Sequence, residues 1–96
     1  MSATIDRLRG LIGGPRDGAL LRLGLAQALL DAGDAAAAVQ SARDALGFDP
    51  DYSAAWKLLG KALTESGQRD AAITAYTDGI NAAERRGDVQ AGKEMR

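Results

Sequence analysis

Residues 25–46 read LAQALLDAGDAAAAVQSARDAL, and residues 59–80 read LGKALTESGQRDAAITAYTDGI. Laid over each other at a shift of 34 residues, the two stretches share both their punctuation and their apolar face. Leu25 falls on Leu59, Ala26 on Gly60, Leu29 on Leu63 and Gly33 on Gly67, then Ala38 on Ala72, Val39 on Ile73, Ala45 on Gly79 and Leu46 on Ile80. The apolar residues return every three or four positions, which is the spacing of one helix face. β-Branched residues are few and Ala and Leu are many, which argues against strands. Gly33 and Gly67 stand where an apolar run stops, and glycine there permits the left-handed residue that ends a helix. A fixed period of this length marks a stacked repeat architecture, because one unit cannot bury its own apolar face without a neighbour.

Outside these stretches the chain is divided by Gly13-Gly14-Pro15, Asp49-Pro50-Asp51 and Gly87-Asp88, all of them turn sequences. The spacing predicts a short first helix carrying Ile5, Leu8 and Ile12, capped by Ser2 or Thr4. A helix over 17–32 follows, with Leu21, Leu25, Ala28 and Leu29 on one face. Asp34 caps a third helix, through Val39, Ala42, Ala45 and Leu46. Residues 52–66 form a fourth with Trp56, Leu59 and Leu63, and residues 69–86 a fifth with Ala72, Ile73, Tyr76, Ile80 and Ala83. A last helix begins at Asp88 and stops in less than three turns.

Composition narrows the function. The chain has 96 residues and is 46% hydrophobic, but much of that is alanine. Leu, Ile, Val and Phe make up only about a fifth of it, near the level at which order itself comes into question. Low net charge and strong local patterning favour order, with a thin core between closely packed helices and modest stability. Twelve basic against 13 acidic side chains leave a net charge of −1, so neither nucleic acid nor an anionic membrane is an expected partner. The chain has no cysteine and no histidine, which removes thiolate chemistry, the commonest general base and the commonest metal ligand. Its serines and lysines lack an activating base, and its paired acids, Asp49 with Asp51 and Asp31 with Asp34, sit in polar turns. No enzyme, no cofactor and no metal are expected. No stretch has the roughly 20 apolar residues of a membrane span, and the N-terminus, with Arg7 and Arg9, does not read as a secretory signal. The expected location is the cytoplasm.

The second stretch, widened to start at Trp56, has a more specific pattern: Trp56, Leu59-Gly60, Leu63, Gly67, Ala72, Tyr76 and Gly79. This resembles the tetratricopeptide repeat, a 34-residue helix-turn-helix unit with small and aromatic residues at set places. The first unit keeps Leu25, Ala26, Leu29, Gly33, Ala38, Ala45 and the closing Pro50. It departs at Arg22, which stands where the second unit has Trp56, and at Ala42, which stands where it has Tyr76. Leu29 and Leu63 replace an aromatic, and Glu84 replaces the second closing proline, so the helix there is expected to run on. The resemblance implies an all-α, α-solenoid fold with a right-handed superhelix. It divides into an N-terminal cap helix (1–14), repeat 1 (19–52), repeat 2 (53–86) and a C-terminal partial helix (87–96).

By the same resemblance, the function is protein–protein interaction: a scaffold or adaptor that holds a partner's peptide or helix in the concave groove lined by the first helix of each unit. The groove candidates are Leu20, Leu23, Gln27 and Leu30 from the first unit and Lys57, Lys61 and Thr64 from the second. Lys57 and Lys61 are four apart and share a helix face, a positive spot suited to a partner with an acidic residue. In chaperone-binding relatives two such positions help grip a C-terminal carboxylate, but Leu23 and Gln27 stand at the matching places of the first unit, so a complete clamp is not expected. The leucines have a second reading, burial under the cap helix. The alternative function is self-assembly: the last helix looks cut short, and a homodimer sealed through Ile73, Ile80, Val89 and Met95 would cover the C-terminal edge.

Overall fold

Each helix begins or ends where a neighbouring residue supplies a partner for backbone groups that the helix leaves free. The Oγ of Ser2 accepts from the Ile5 N–H, Asp34 from Ala37 and Asp88 from Ala91. Gly33, Gly67 and Gly87 have φ of 85°, 79° and 76°. After each glycine the next N–H reaches back five residues, from Asp34 to Leu29, Gln68 to Leu63 and Asp88 to Ala83, at 2.9, 2.8 and 2.8 Å. This glycine-dependent closure recurs at three helix ends. Asp49, the residue before Pro50, is extended (φ −143°, ψ 95°), as the proline ring demands of its predecessor.

The protein is described here for residues 2–96, from a computed structural model. Among those residues there are six helices and no strand: α1 (Ala3–Gly10), α2 (Ala19–Asp31), α3 (Ala35–Phe48), α4 (Ser53–Glu65), α5 (Arg69–Arg86) and α6 (Val89–Met95). The helices stack in chain order. α1 packs on α2, α2 on α3, α3 on α4, α4 on α5 and α5 on α6, and α4 also touches α2 and α6. The backbones of α3 and α5 stay more than 8 Å apart, with α4 lying beneath the gap. This is an all-α helical repeat.

The core is built from alanine and leucine. Ala26, Ala38, Ala42, Ala55 and Ala62 are fully enclosed, and Leu63 is the largest side chain almost wholly out of solvent, at 1% exposure. Leu25, Leu29 and Leu59 fill the space between the helix pairs. The small residues let helices meet almost backbone to backbone. A Cβ added at Gly60 would lie 2.6 Å from the ring of Tyr76, and one at Gly79 would lie 2.5 Å from the Met95 sulfur and 2.7 Å from the Trp56 Cβ. In the first pair the matching positions are Ala26 and Ala42, both fully buried. One alanine facing another does the work of a glycine facing a tyrosine.

Several expectations are corrected by this packing. α1 ends at Gly10, so Ile12 lies in the following turn and is 40% exposed instead of continuing the helix face. Leu30 is buried in the core cluster that also holds Ile5 of α1, so the cap helix takes it out of any groove. Met95 is buried against Gly79 and belongs to the core under α6, not to an open edge. Arg85 and Arg86, both still exposed, pair with Asp51 and Asp49 and so tie the end of α5 to the α3–α4 turn. α5 does run on, with 18 residues against 14 in α3, because Glu84 stands where Pro50 would stop it.

The same substitution has opposite consequences at two glycines. Nothing lies within 4 Å of a Cβ at Gly24 inside α2, so Gly24→Ala raises stability by about 0.5–1 kcal/mol through helix propensity. Gly60→Ala gains that term but meets the Tyr76 ring, and overpacking costs about 1–3 kcal/mol. Urea denaturation therefore shows a net loss for Gly60→Ala, and a gain for the same change in a Tyr76→Ala background.

Candidate functional site

The groove begins with the way α2 and α4 face each other. Both are first helices of their pairs, both carry leucines on the buried side, and their contact leaves the next face of each turned outward. Between them is a recess of about 400 Å³ lined by Leu20, Leu23, Gly24 and Gln27 from α2 and Ala54, Lys57, Leu58 and Lys61 from α4. Five of the seven residues singled out from the sequence meet there: Leu20, Leu23, Gln27, Lys57 and Lys61. Leu30 is in the core, as above. Thr64 stays outside the recess, with its hydroxyl donating to the Gly60 carbonyl of its own helix at 2.9 Å.

Within the recess the polar groups are not equally free. Gln27 donates its carboxamide N–H to Asp31 at 2.8 Å, along the same helix. The Lys57 ammonium pairs with the Glu94 carboxylate of α6, a contact that the sequence did not suggest because α6 looked like a stub. Lys61 forms no ion pair among the described residues. Leu20 is 76% exposed, the most open large apolar side chain among the described residues. The recess thus offers an uncovered leucine at one end and an uncommitted cation at the other.

The α2 wall is held by a cluster that sequence reasoning treated only as a departure from pattern. Gly18 precedes α2 and offers no side-chain cap. Arg22, in the first turn of α2, ties that end to its surroundings instead: its guanidinium donates to both Asp17 oxygens, at 2.9 and 3.0 Å, and to Asp44 of α3 at 2.9 Å. It also lies 5.8 Å from the centre of the Phe48 ring, within cation–π range. Asp17 in turn accepts from the Gly13 and Gly18 N–H groups. The hydrogen bond from Arg22, then that from Gly13, holds the Asp17 carboxyl well below its ordinary value of 3.8, while desolvation opposes the shift. Asp49 is lowered too, chiefly by Arg86. In the second pair, Trp56 occupies the place of Arg22 and its indole N–H donates to the Pro50 carbonyl at 2.7 Å. The signal in the sequence was the trio Asp17, Arg22 and Asp44, which only the folded backbone brings together.

The self-association candidates divide. Ile73 is 59% and Val89 68% exposed, Ile80 is half-buried and Met95 is enclosed. Among the described residues no group of three acidic side chains could hold a metal ion, and no helix is long and apolar enough to cross a membrane.

The arrangement has counterparts. A family model described as tetratricopeptide repeat matches residues 29–94. A TPR repeat-containing protein of Pseudomonas aeruginosa is 44% identical over 91 residues, which make up 95% of this chain and 87% of that protein. The solution structure of a protein from Bordetella parapertussis aligns with a TM-score of 0.83 at 41% identity, over 99% of this chain and 83% of that one. The crystal structure of a tetratricopeptide repeat domain protein from Salinibacter ruber aligns with a TM-score of 0.74 at 29% identity, over 82% of this chain and 88% of that one.

The Asp17 cluster makes a signed prediction. A carboxyl whose folded pKa lies below its unfolded one stabilises the fold above the ordinary carboxylate range, and that contribution fades as pH falls toward the folded value. The urea midpoint should hold steady from neutrality down to about pH 5 and fall below it. Asp17→Asn should start from a lower midpoint at pH 7 and lose less on acidification. Parallel acid profiles of the two proteins would contradict the assignment.

Proposed function

The chain belongs to the tetratricopeptide repeat family, and from that membership we propose that it is an adaptor that holds a peptide or helix of a partner protein in the α2–α4 recess. Domains of this family generally bind protein partners and are typically not enzymes. The observation that carries the finer reading is the junction of Leu20, Leu23 and Lys61 in one recess. Leu20 and Leu23 give apolar contact and Lys61 gives a charge without an internal partner, so the partner segment presents an apolar side chain followed by an acidic one. Selection comes from shape and apolar contact, with Lys61 setting orientation and salt dependence. Affinity is modest, since a short groove buries little surface and binding must still offset the lost freedom of the partner.

Self-association is the second reading, favoured by the exposure of Ile73 and Val89 on the outer sides of α5 and α6. Mass measured against concentration separates the two: a monomer throughout leaves the adaptor, and a concentration-dependent dimer lost in Ile73→Lys installs the alternative.

Capture from cell extract with native and Lys61→Glu baits, at two salt concentrations, tests the adaptor. Helix content should be unchanged, because Lys61 is exposed. Recovery of the partner should drop by about three- to tenfold at low salt and by less at high salt. Equal recovery by both baits would place the binding surface elsewhere.

A further inference from the structure

The face opposite the recess carries a second, larger opening. Because α3 and α5 do not meet, a cleft of about 570 Å³ runs between them, floored by Trp56, Leu59 and Leu63 of α4 and walled by Leu46 of α3 and Ala75 of α5. Leu59, Leu63 and Ala75 close the base and are themselves buried, so the apolar surface open to a partner is that of the half-buried Leu46 and Trp56, and the rim is charged: Arg43 stands on the α3 side and Asp78 on the α5 side. Neither forms an ion pair or a side-chain hydrogen bond among the described residues, although Asp44, next to Arg43, is fully engaged by Arg22 and Gln40. The 34-residue shift that relates the pairs carries Asp44 onto Asp78, so the two free rim charges lie at nearly the same level of their helices.

The walls determine what kind of segment can enter. α3 and α5 use their backbone groups within themselves, so the cleft offers no unpaired edge to which a strand could add. An amphipathic helix meets such a site with one apolar stripe flanked by two edges, whereas an extended segment sends its side chains alternately to opposite faces and cannot flank its apolar row on both sides. The rim then asks for an acidic side chain on the edge facing α3 and a basic one on the edge facing α5. The exposed face of α5 sets a single large apolar side chain, Ile73, among Thr74, Thr77 and Asn81, so α5 of a second copy offers one apolar contact where the cleft takes a stripe. We propose that the α3–α5 cleft is a second protein-binding surface, taking an amphipathic partner helix whose apolar stripe carries an acidic residue on one edge and a basic residue on the other. It is independent of the α2–α4 recess and shares with it only α4.

The test uses three synthetic helical peptides with leucines at i, i+3, i+4 and i+7, stapled on the solvent side. One has an acidic and a basic edge, one has two acidic edges and one has two basic edges. Trp56 is the only tryptophan and lies in the cleft, so its emission reports binding. The mixed peptide should bind the native chain about fivefold more tightly than either of the others. Arg43→Glu should move the preference to the doubly basic peptide, and Asp78→Arg should move it to the doubly acidic one. Both positions are exposed, and circular dichroism checks that helix content is kept. Lys61→Glu should change nothing here. No response of Trp56, equal binding of the three peptides, or a preference that ignores the two rim variants would overturn the proposal. So would loss of binding in Lys61→Glu, which would give the peptides to the opposite recess, or a native dimer abolished by Arg43→Glu, which would give the cleft to a second copy.

Discussion

The closeness of α4 to its neighbours is the constraint on which the rest of the structure depends. Gly60 has no side chain, so the Tyr76 ring can lie where a Cβ would be, and the bare Gly79 backbone admits the Trp56 Cβ and the Met95 sulfur. A chain with so few large apolar residues cannot build a thick core. It gains burial by bringing helices together until alanine and glycine suffice. α4 buries Ser53, Ala55, Leu58, Leu59, Gly60, Ala62 and Leu63, seven of its 13 residues. It is flanked by α3 and α5 and touches α2 and α6, so the stack closes around it.

That arrangement turns one helix into the floor of two openings. Ala54, Lys57, Leu58 and Lys61 face the recess shared with α2, while Trp56, Leu59 and Leu63 face the cleft between α3 and α5. The helical repeat separates the two sets by sequence position alone. The recess is partly self-occupied, because Glu94 of α6 holds Lys57. The cleft has a buried apolar base and keeps its charges, Arg43 and Asp78, at the rim. The two surfaces thus suit partner segments of different character on one small scaffold.

Most of the architecture was legible because it depends on local rules. Gly33, Gly67 and Gly87 announce helix ends through a backbone conformation that glycine adopts readily, and Asp34 and Asp88 announce helix starts through short side chains. The 34-residue match of Leu25-Ala26-Leu29 with Leu59-Gly60-Leu63 gave the stacking, and helix-face arithmetic brought Leu20, Leu23, Gln27, Lys57 and Lys61 to one recess. What was not legible required knowing which distant residues meet. Leu30 looked like a groove residue because α2 is apolar on nearly every side, and only the position of α1 decides which leucine is covered. Met95 looked unpartnered until Gly79 made room for it. Asp17, Arg22 and Asp44 replace by charge what Trp56 does by packing, and no periodicity signals such an exchange. The α3–α5 cleft was invisible in sequence because it is a space left by two helices that do not touch.

The central claim is that α4 is the element around which both surfaces are built, and native-state hydrogen exchange measured by NMR tests it most directly. Under conditions where amides report their opening free energies, Leu58 to Leu63 should exchange only through global unfolding, as the slowest group in the chain. α1 and α6, each packed from one side of the stack, should open at lower cost. Exchange of the α4 amides as fast as those of α1 or α6, with α2 and α3 still protected, would contradict the account.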